Sequence, residues 1–147
     1  MLVASSVGRG GGENGLGRYG TGQRDRTMRI LVVEDEPLLA MLLEESLVDL
    51  GHEIAGSAAT VEQALSTLDE RSQEGETVEF GVLDYSLGHD TTALPIARWL
   101  RERGIPVMYL SGHASLDDDR LPLAPLLTKP FTVDQLDATI RGLALAA

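Results

Sequence analysis

Apolar residues along this chain come as short runs that alternate with stretches of helical spacing. Ile30 to Val33 is a continuous apolar run and reads as a first strand. Pro37 then opens a helical pattern that places Leu39, Leu42, Leu43, Leu47 and Leu50 on one face, and Gly51 stops it. Glu53 to Ala58 is a weaker second strand. Thr60, with Gln63 three residues on, has the spacing of a capping box and starts a helix carrying Ala64, Leu65 and Leu68. After a polar connection over 70–79, Phe80 to Leu83 predicts a third strand. Gly88 and two threonines lead from it to a helix near Ala93 to Arg103, ended by Gly104.

The run Ile105 to Leu110, with Pro106 near its start, predicts a fourth strand. Between Gly112 and Ala124 the pattern degrades: Asp117, Asp118, Asp119 and Pro122 leave room for one or two helical turns, so a fourth helix is expected to be short or degenerate. Ala124 to Leu127 reads as a short fifth strand, and Thr132 with Gln135 caps a last helix carrying Leu136, Ile140 and Leu143. Five strands alternating with helices predict an α/β fold, a parallel sheet covered on both faces by right-handed crossovers.

Composition divides the chain. Residues 1–27 are rich in Gly, Ser and Arg and carry four arginines against two acids, a composition expected to remain disordered. Met28 directly precedes the first strand, so the structured protein is expected to occupy 28–147 as one domain. That part carries 8 basic against 21 acidic residues, a charge of −13 that opposes nucleic-acid binding. No segment is long and apolar enough for a membrane span, and a cytoplasmic protein is expected. The absence of cysteine excludes disulfides and thiolate metal sites, which leaves oxygen donors and three histidines.

The candidate chemistry lies at the strand ends. Glu34 and Asp35 follow the first strand, Asp84 the third, Ser111 and Gly112 the fourth. Lys129, between Leu126-Leu127 and Pro130-Phe131, is the one lysine among twelve basic residues. An ammonium is a compact charge on a flexible stem, suited to a small anionic pocket that a guanidinium fork would not fit. In a parallel sheet the carboxyl ends of the strands share one edge, where these groups would converge. Three carboxylates there suit Mg2+, and a carboxylate between a cation and an ammonium is a reasonable nucleophile toward a phosphoryl group.

With Glu34-Asp35, Val82-Leu83-Asp84, Ser111-Gly112 and Lys129-Pro130-Phe131 in this order, the chain resembles the receiver domains of two-component response regulators from about Arg29 to Leu143. The resemblance implies a flavodoxin-like sheet of strand order 2-1-3-4-5. It further implies that Asp84 accepts the phosphoryl group, that Asp35, Asp84 and the Ser86 carbonyl bind Mg2+, and that Glu34 acts through a metal-bound water. Ser111 would hydrogen-bond the phosphoryl oxygen and Lys129 would pair with it, aimed by a cis Lys129-Pro130 bond. The implied partner is a sensor histidine kinase or a histidine phosphotransfer protein.

Two departures from the family pattern stand out. Leu126 replaces the aromatic that usually lies three residues before the lysine, and the stretch from Ser111 to Lys129 is several residues short. Tyr109-Leu110-Ser111-Gly112 is similar instead to a single-domain subgroup with a Phe-Ala-Thr-Gly-like fourth strand. With four residues after Leu143, a stand-alone receiver is the expectation. The alternatives are a Mg2+-dependent aspartyl-phosphate phosphohydrolase, for which Ser86 stands where a second Asp is wanted, and a pseudo-receiver that binds partners without phosphorylation. His113 lies near the expected phosphoryl site, Asp117 to Asp119 read as a solvated loop, and no role is assigned to His52 or His89.

Overall fold

The computed structural model describes residues 26–146, with side chains described to Leu143. Residues 1–25, and with them nearly all of the segment expected to lack structure, lie outside the described residues. In chain order the elements are β1 (Arg29–Val33), α1 (Pro37–Asp49), β2 (Glu53–Ala58), α2 (Val61–Gln73), β3 (Phe80–Asp84), α3 (Leu94–Glu102), β4 (Val107–Ser111), β5 (Leu126–Thr128) and α4 (Val133–Ala146). The strands form one parallel sheet of order β2-β1-β3-β4-β5, the flavodoxin-like topology.

Side-chain alternation in the strands divides the core into two layers. Ile30, Val32, Phe80, Val82, Met108 and Leu110 pack with Leu43 and Leu47 of α1 and with Leu136 and Ile140 of α4. Leu31, Val33, Leu83, Val107 and Tyr109 pack on the other side with Ala64 and Leu68 of α2 and with Ile96, Ala97 and Leu100 of α3. Strands buried on both faces read as unbroken apolar runs, which is why the pattern was so plain. Gly81 belongs to the second layer: a Cβ there would lie 2.8 Å from Leu100 Cδ1, so the glycine lets α3 sit close on β3.

The expected helix starts are realised through hydrogen bonds. Gln63 N–H donates to Thr60 Oγ1 (3.1 Å), and Thr132 and Gln135 make the reciprocal pair, Gln135 N–H to Thr132 Oγ1 at 3.1 Å and Thr132 N–H to Gln135 Oε1 at 2.8 Å. Glu36 precedes α1 without a side-chain cap, and Pro37 occupies the first turn. Leu42 departs from the face expected for it and is half exposed, as are Leu38, Met41 and Val48, so α1 is apolar over more of its surface than a single packed stripe requires.

Two strand boundaries move inward from their expected places. β4 starts at Val107 because Pro106 has no N–H to donate, although its carbonyl accepts from Gly81 N–H at 3.0 Å. β5 starts at Leu126 because Pro125 likewise only accepts, from Tyr109 N–H at 2.9 Å. No helix forms between β4 and β5. Leu116, Leu121 and Ala124 of that connection pack against the α2/α3 layer and fill the space a helix would cover.

Candidate functional site

Glu34, Asp84 and Lys129 meet at the carboxyl edge of the sheet. Each continues the odd-even alternation that in its strand points to the α1/α4 layer, Glu34 after Ile30 and Val32, Asp84 after Phe80 and Val82, and Lys129 after Leu127. Lys129 Nζ donates to Asp84 Oδ2 at 3.0 Å and to Glu34 Oε1 at 3.2 Å. Its backbone is fixed by donation of its N–H to the Ser111 carbonyl (2.7 Å), and the Lys129-Pro130 peptide bond is cis. The other Glu34 oxygen accepts from Glu36 N–H at 3.1 Å.

Burial sets the electrostatics. Glu34 is 2% exposed and Asp84 4%, and two carboxylates so close repel one another. Loss of hydration, together with the charge of Asp84, pushes the Glu34 carboxyl up to about 7, against the Glu36 amide and the Lys129 ammonium, which favour its ionised form. Burial works against the charge on Lys129 too, but the hydrogen bonds and charges of Asp84 and Glu34 outweigh it and its pKa rises. The cluster therefore carries more negative charge than one ammonium balances, and it favours a further cation.

Carboxylate oxygens of Glu34, Asp35 and Asp84 lie within 4.8 Å of one another. Hard oxygen donors at such separations fit a small divalent ion that keeps part of its water shell. The backbone of the β3–α3 connection closes the same corner: Gly88, at φ +83°, comes so near that a Cβ would lie 3.4 Å from Asp35 Oδ2. His89 and Asp90 continue the left-handed backbone at φ 49° and 61°. Ser86, on this connection, pairs with Thr92 in an isolated antiparallel bridge.

Ser111, 5% exposed, ends β4 beside this cluster with its parity reversed, on the same side as Val107 and Tyr109. Its Oγ accepts from His113 N–H at 3.0 Å, which directs the hydroxyl proton elsewhere and leaves it able to donate. His113 thus touches the site through its backbone, and its side chain is exposed.

Sequence reasoning missed four contacts. Asp118, read as part of a solvated loop, has a side chain only 5% exposed. It accepts from the Tyr85 hydroxyl at 2.9 Å and is clasped by Arg120 through Nε and Nη2, each at 2.9 Å. The Tyr109 hydroxyl donates to the Pro122 carbonyl at 2.8 Å. His52, given no role, is buried, and its Nδ1 accepts from Met28 N–H at 3.1 Å. The isolated lysine signalled the charged cluster. No comparable spacing links Tyr85 to Asp118, 33 residues away.

A doubly wound five-stranded sheet with an acidic pocket and an opposed lysine at its carboxyl edge defines the receiver class. The chain is similar to SdrG from Sphingomonas melonis Fr1 at 34% identity over 80% of this chain and 97% of that one, with a TM-score of 0.66. It is similar at 30% identity to the receiver domain of the PhyR response regulator from Erythrobacter litoralis, over 81% and 91% of the two chains, with a TM-score of 0.69. The chain belongs to the response regulator receiver family. Among curated proteins, the phyllosphere-induced regulator PhyR of Methylorubrum extorquens is 31% identical over 119 residues, 79% of this chain and 43% of that protein. The chain thus spans about half the length of the curated relatives it matches. No family model matches it. No helix among the described residues is long and apolar enough to cross a membrane.

Proposed function

We propose that this chain is a phosphorylation switch of a two-component system, with Asp84 as acceptor of a phosphoryl group from a phosphohistidine protein. The observation that carries the reading is the placement of a buried Asp84 carboxylate 3.0 Å from the only lysine, beside Glu34 and Asp35. An Asp84 oxygen attacks phosphorus as the P–N bond to the donor imidazole breaks, and the bonding pair returns to that ring, which takes up a proton. Lys129 balances charge on the phosphoryl oxygens, and the Ser111 hydroxyl donates to one of them. Asp35, Asp84 and the Ser86 carbonyl would hold Mg2+, with Glu34 acting through a bound water. When bound, the ion neutralises negative charge that develops during transfer.

The donor is a sensor kinase or a phosphotransfer protein, and its approach has a physical route. An apolar groove of about 550 Å³ between α1 and the start of α4 is lined by Leu39, Leu42, Leu43, Phe131 and Val133, and Lys129 also lines it. A helix laid there brings a histidine to the rim of the acidic pocket. The chain acts on itself and not on external substrates, and the signal passes by contact with a protein or by onward transfer, in the cytoplasm.

Incubation with acetyl phosphate and Mg2+ tests the reading against its rivals. A switch gains one phosphoryl mass, lost with hydroxylamine. A phosphohydrolase instead turns over the donor many times without accumulating the adduct. A pseudo-receiver gains no mass and binds neither Mg2+ nor beryllofluoride.

A further inference from the structure

The residue that directly follows Asp84 is tied to the segment that stands in place of a helix between β4 and β5. Tyr85 leaves β3 with its N–H donating to the Leu110 carbonyl at 2.9 Å and its carbonyl accepting from Ala93 N–H at 2.9 Å, so its backbone is held by β4 on one side and by the start of α3 on the other. Its hydroxyl then reaches Asp118 Oδ2 at 2.9 Å. Asp118 is oriented by Arg120 through both guanidinium contacts and through the Arg120 amide, 3.1 Å from Oδ1. The Arg120 and Tyr85 hydrogen bonds hold the Asp118 carboxyl well below the usual carboxylate range, as a firmly bonded anion requires.

The same connection is held at its start from a second place. Ser111 Oγ accepts from His113 N–H, and Ser111 is buried at the end of β4, where its carbonyl accepts from the N–H of Lys129. Only six residues separate Ser111 from Asp118. A phosphoryl group on Asp84 recruits the Ser111 hydroxyl, and any shift of Ser111 pulls on a short connection whose middle is fastened to Tyr85. With no helix there to absorb the displacement, the two anchors compete.

We propose that the Tyr85–Asp118 hydrogen bond, backed by Arg120, is a latch that favours the unphosphorylated arrangement of residues 112–125, so that Tyr85 sets how readily phosphorylation of Asp84 rearranges the β4–β5 face. The inference rests on Asp84 being the phosphoacceptor. Tyr85 is a positioning residue: its hydroxyl touches the connection and not the reacting atoms.

Amide hydrogen exchange over 112–125 tests it in the full chain, with and without Mg2+ and beryllofluoride. In Tyr85→Phe, which keeps the ring and removes only the hydroxyl, these amides should exchange about tenfold faster in the absence of ligand, as loss of one hydrogen bond to a charged acceptor implies. Beryllofluoride should then add less change than it does in the native chain. Asp118→Ala should give the same pattern, and the double variant should add little to either single one. Unchanged exchange in ligand-free Tyr85→Phe would overturn the latch, as would a beryllofluoride response equal to that of the native chain. A native chain insensitive to beryllofluoride would sink the phosphoacceptor reading and its coupling to the latch, while the ligand-free comparison would still decide whether the Tyr85 anchor exists.

Discussion

Lys129 Nζ lies 3.0 Å from Asp84 Oδ2, joining the ends of β5 and β3 across 45 residues of sequence. The contact makes the side chain of Lys129 a clamp on the Asp84 carboxylate. Asp84→Asn should therefore abolish the hydroxylamine-labile phosphoryl adduct, since an amide is no nucleophile. In the metal-free protein it should also raise stability by about 1 kcal/mol, because it removes one of two adjacent buried carboxylates. Mass spectrometry after acetyl phosphate treatment and urea denaturation check the two halves.

Glu34 gives a dependence on pH with a definite sign. Its carboxyl titrates near 7 in the folded chain and near 4.5 when unfolded, so the folded state binds more protons between these values. Stability from this group is greatest below about 4.5, falls as pH rises toward 7 and levels off above it. Denaturation of the metal-free protein at a series of pH values should show this decline, and Glu34→Gln should flatten it.

Mg2+ affinity should run the other way. Binding needs the ionised carboxylate, so below pH 7 the affinity should fall by up to about tenfold per pH unit. Titrations of the native chain and of Glu34→Gln, followed by intrinsic fluorescence or calorimetry, would expose the difference, with the variant nearly insensitive over that range.

Lys129→Arg keeps the charge and alters its shape. The guanidinium is broad and planar, and the pocket between Glu34 Oε1 and Asp84 Oδ2 is built for a single nitrogen 3.2 and 3.0 Å away. Asp84 should still accept a phosphoryl group, but amide exchange with and without beryllofluoride should become nearly superimposable. A native-like response in the arginine variant would mean that only the positive charge matters.

Gly81→Ala tests packing away from the site. The added methyl meets Leu100 Cδ1 at 2.8 Å and Val107 Cγ1 at 3.3 Å, and the buried Leu100 side chain must repack. A loss of about 1–3 kcal/mol is expected from the denaturation midpoint, with phosphate incorporation retained.

The sheet order and the charged cluster were legible because each rests on a strong local signal. Apolar runs ending in Asp or Glu mark strands that terminate at a polar edge, and the lone lysine before Pro130 marks a chosen ammonium. The strand starts were less legible, since Pro106 and Pro125 continue an apolar run yet cannot donate to the ladder. Leu42 fitted the helical spacing of its neighbours, but spacing alone does not show how wide a stripe the sheet covers. The Asp117–Asp119 run hid its exception for the opposite reason. Composition assigns one solvated character to all three, whereas Tyr85 and Arg120 reach only Asp118.

The alternation of side chains in the strands has a geometric consequence for any anion bound at the sheet edge. Lys129 arrives from the side of α1 and α4, while Ser111 arrives from the side of α2 and α3. An anion that engages both acts as a rivet through a plate, drawing the two layers of the molecule toward one point. The occupancy of a single small site is thereby made readable from either face, and a partner on one side can know what has happened without touching the other.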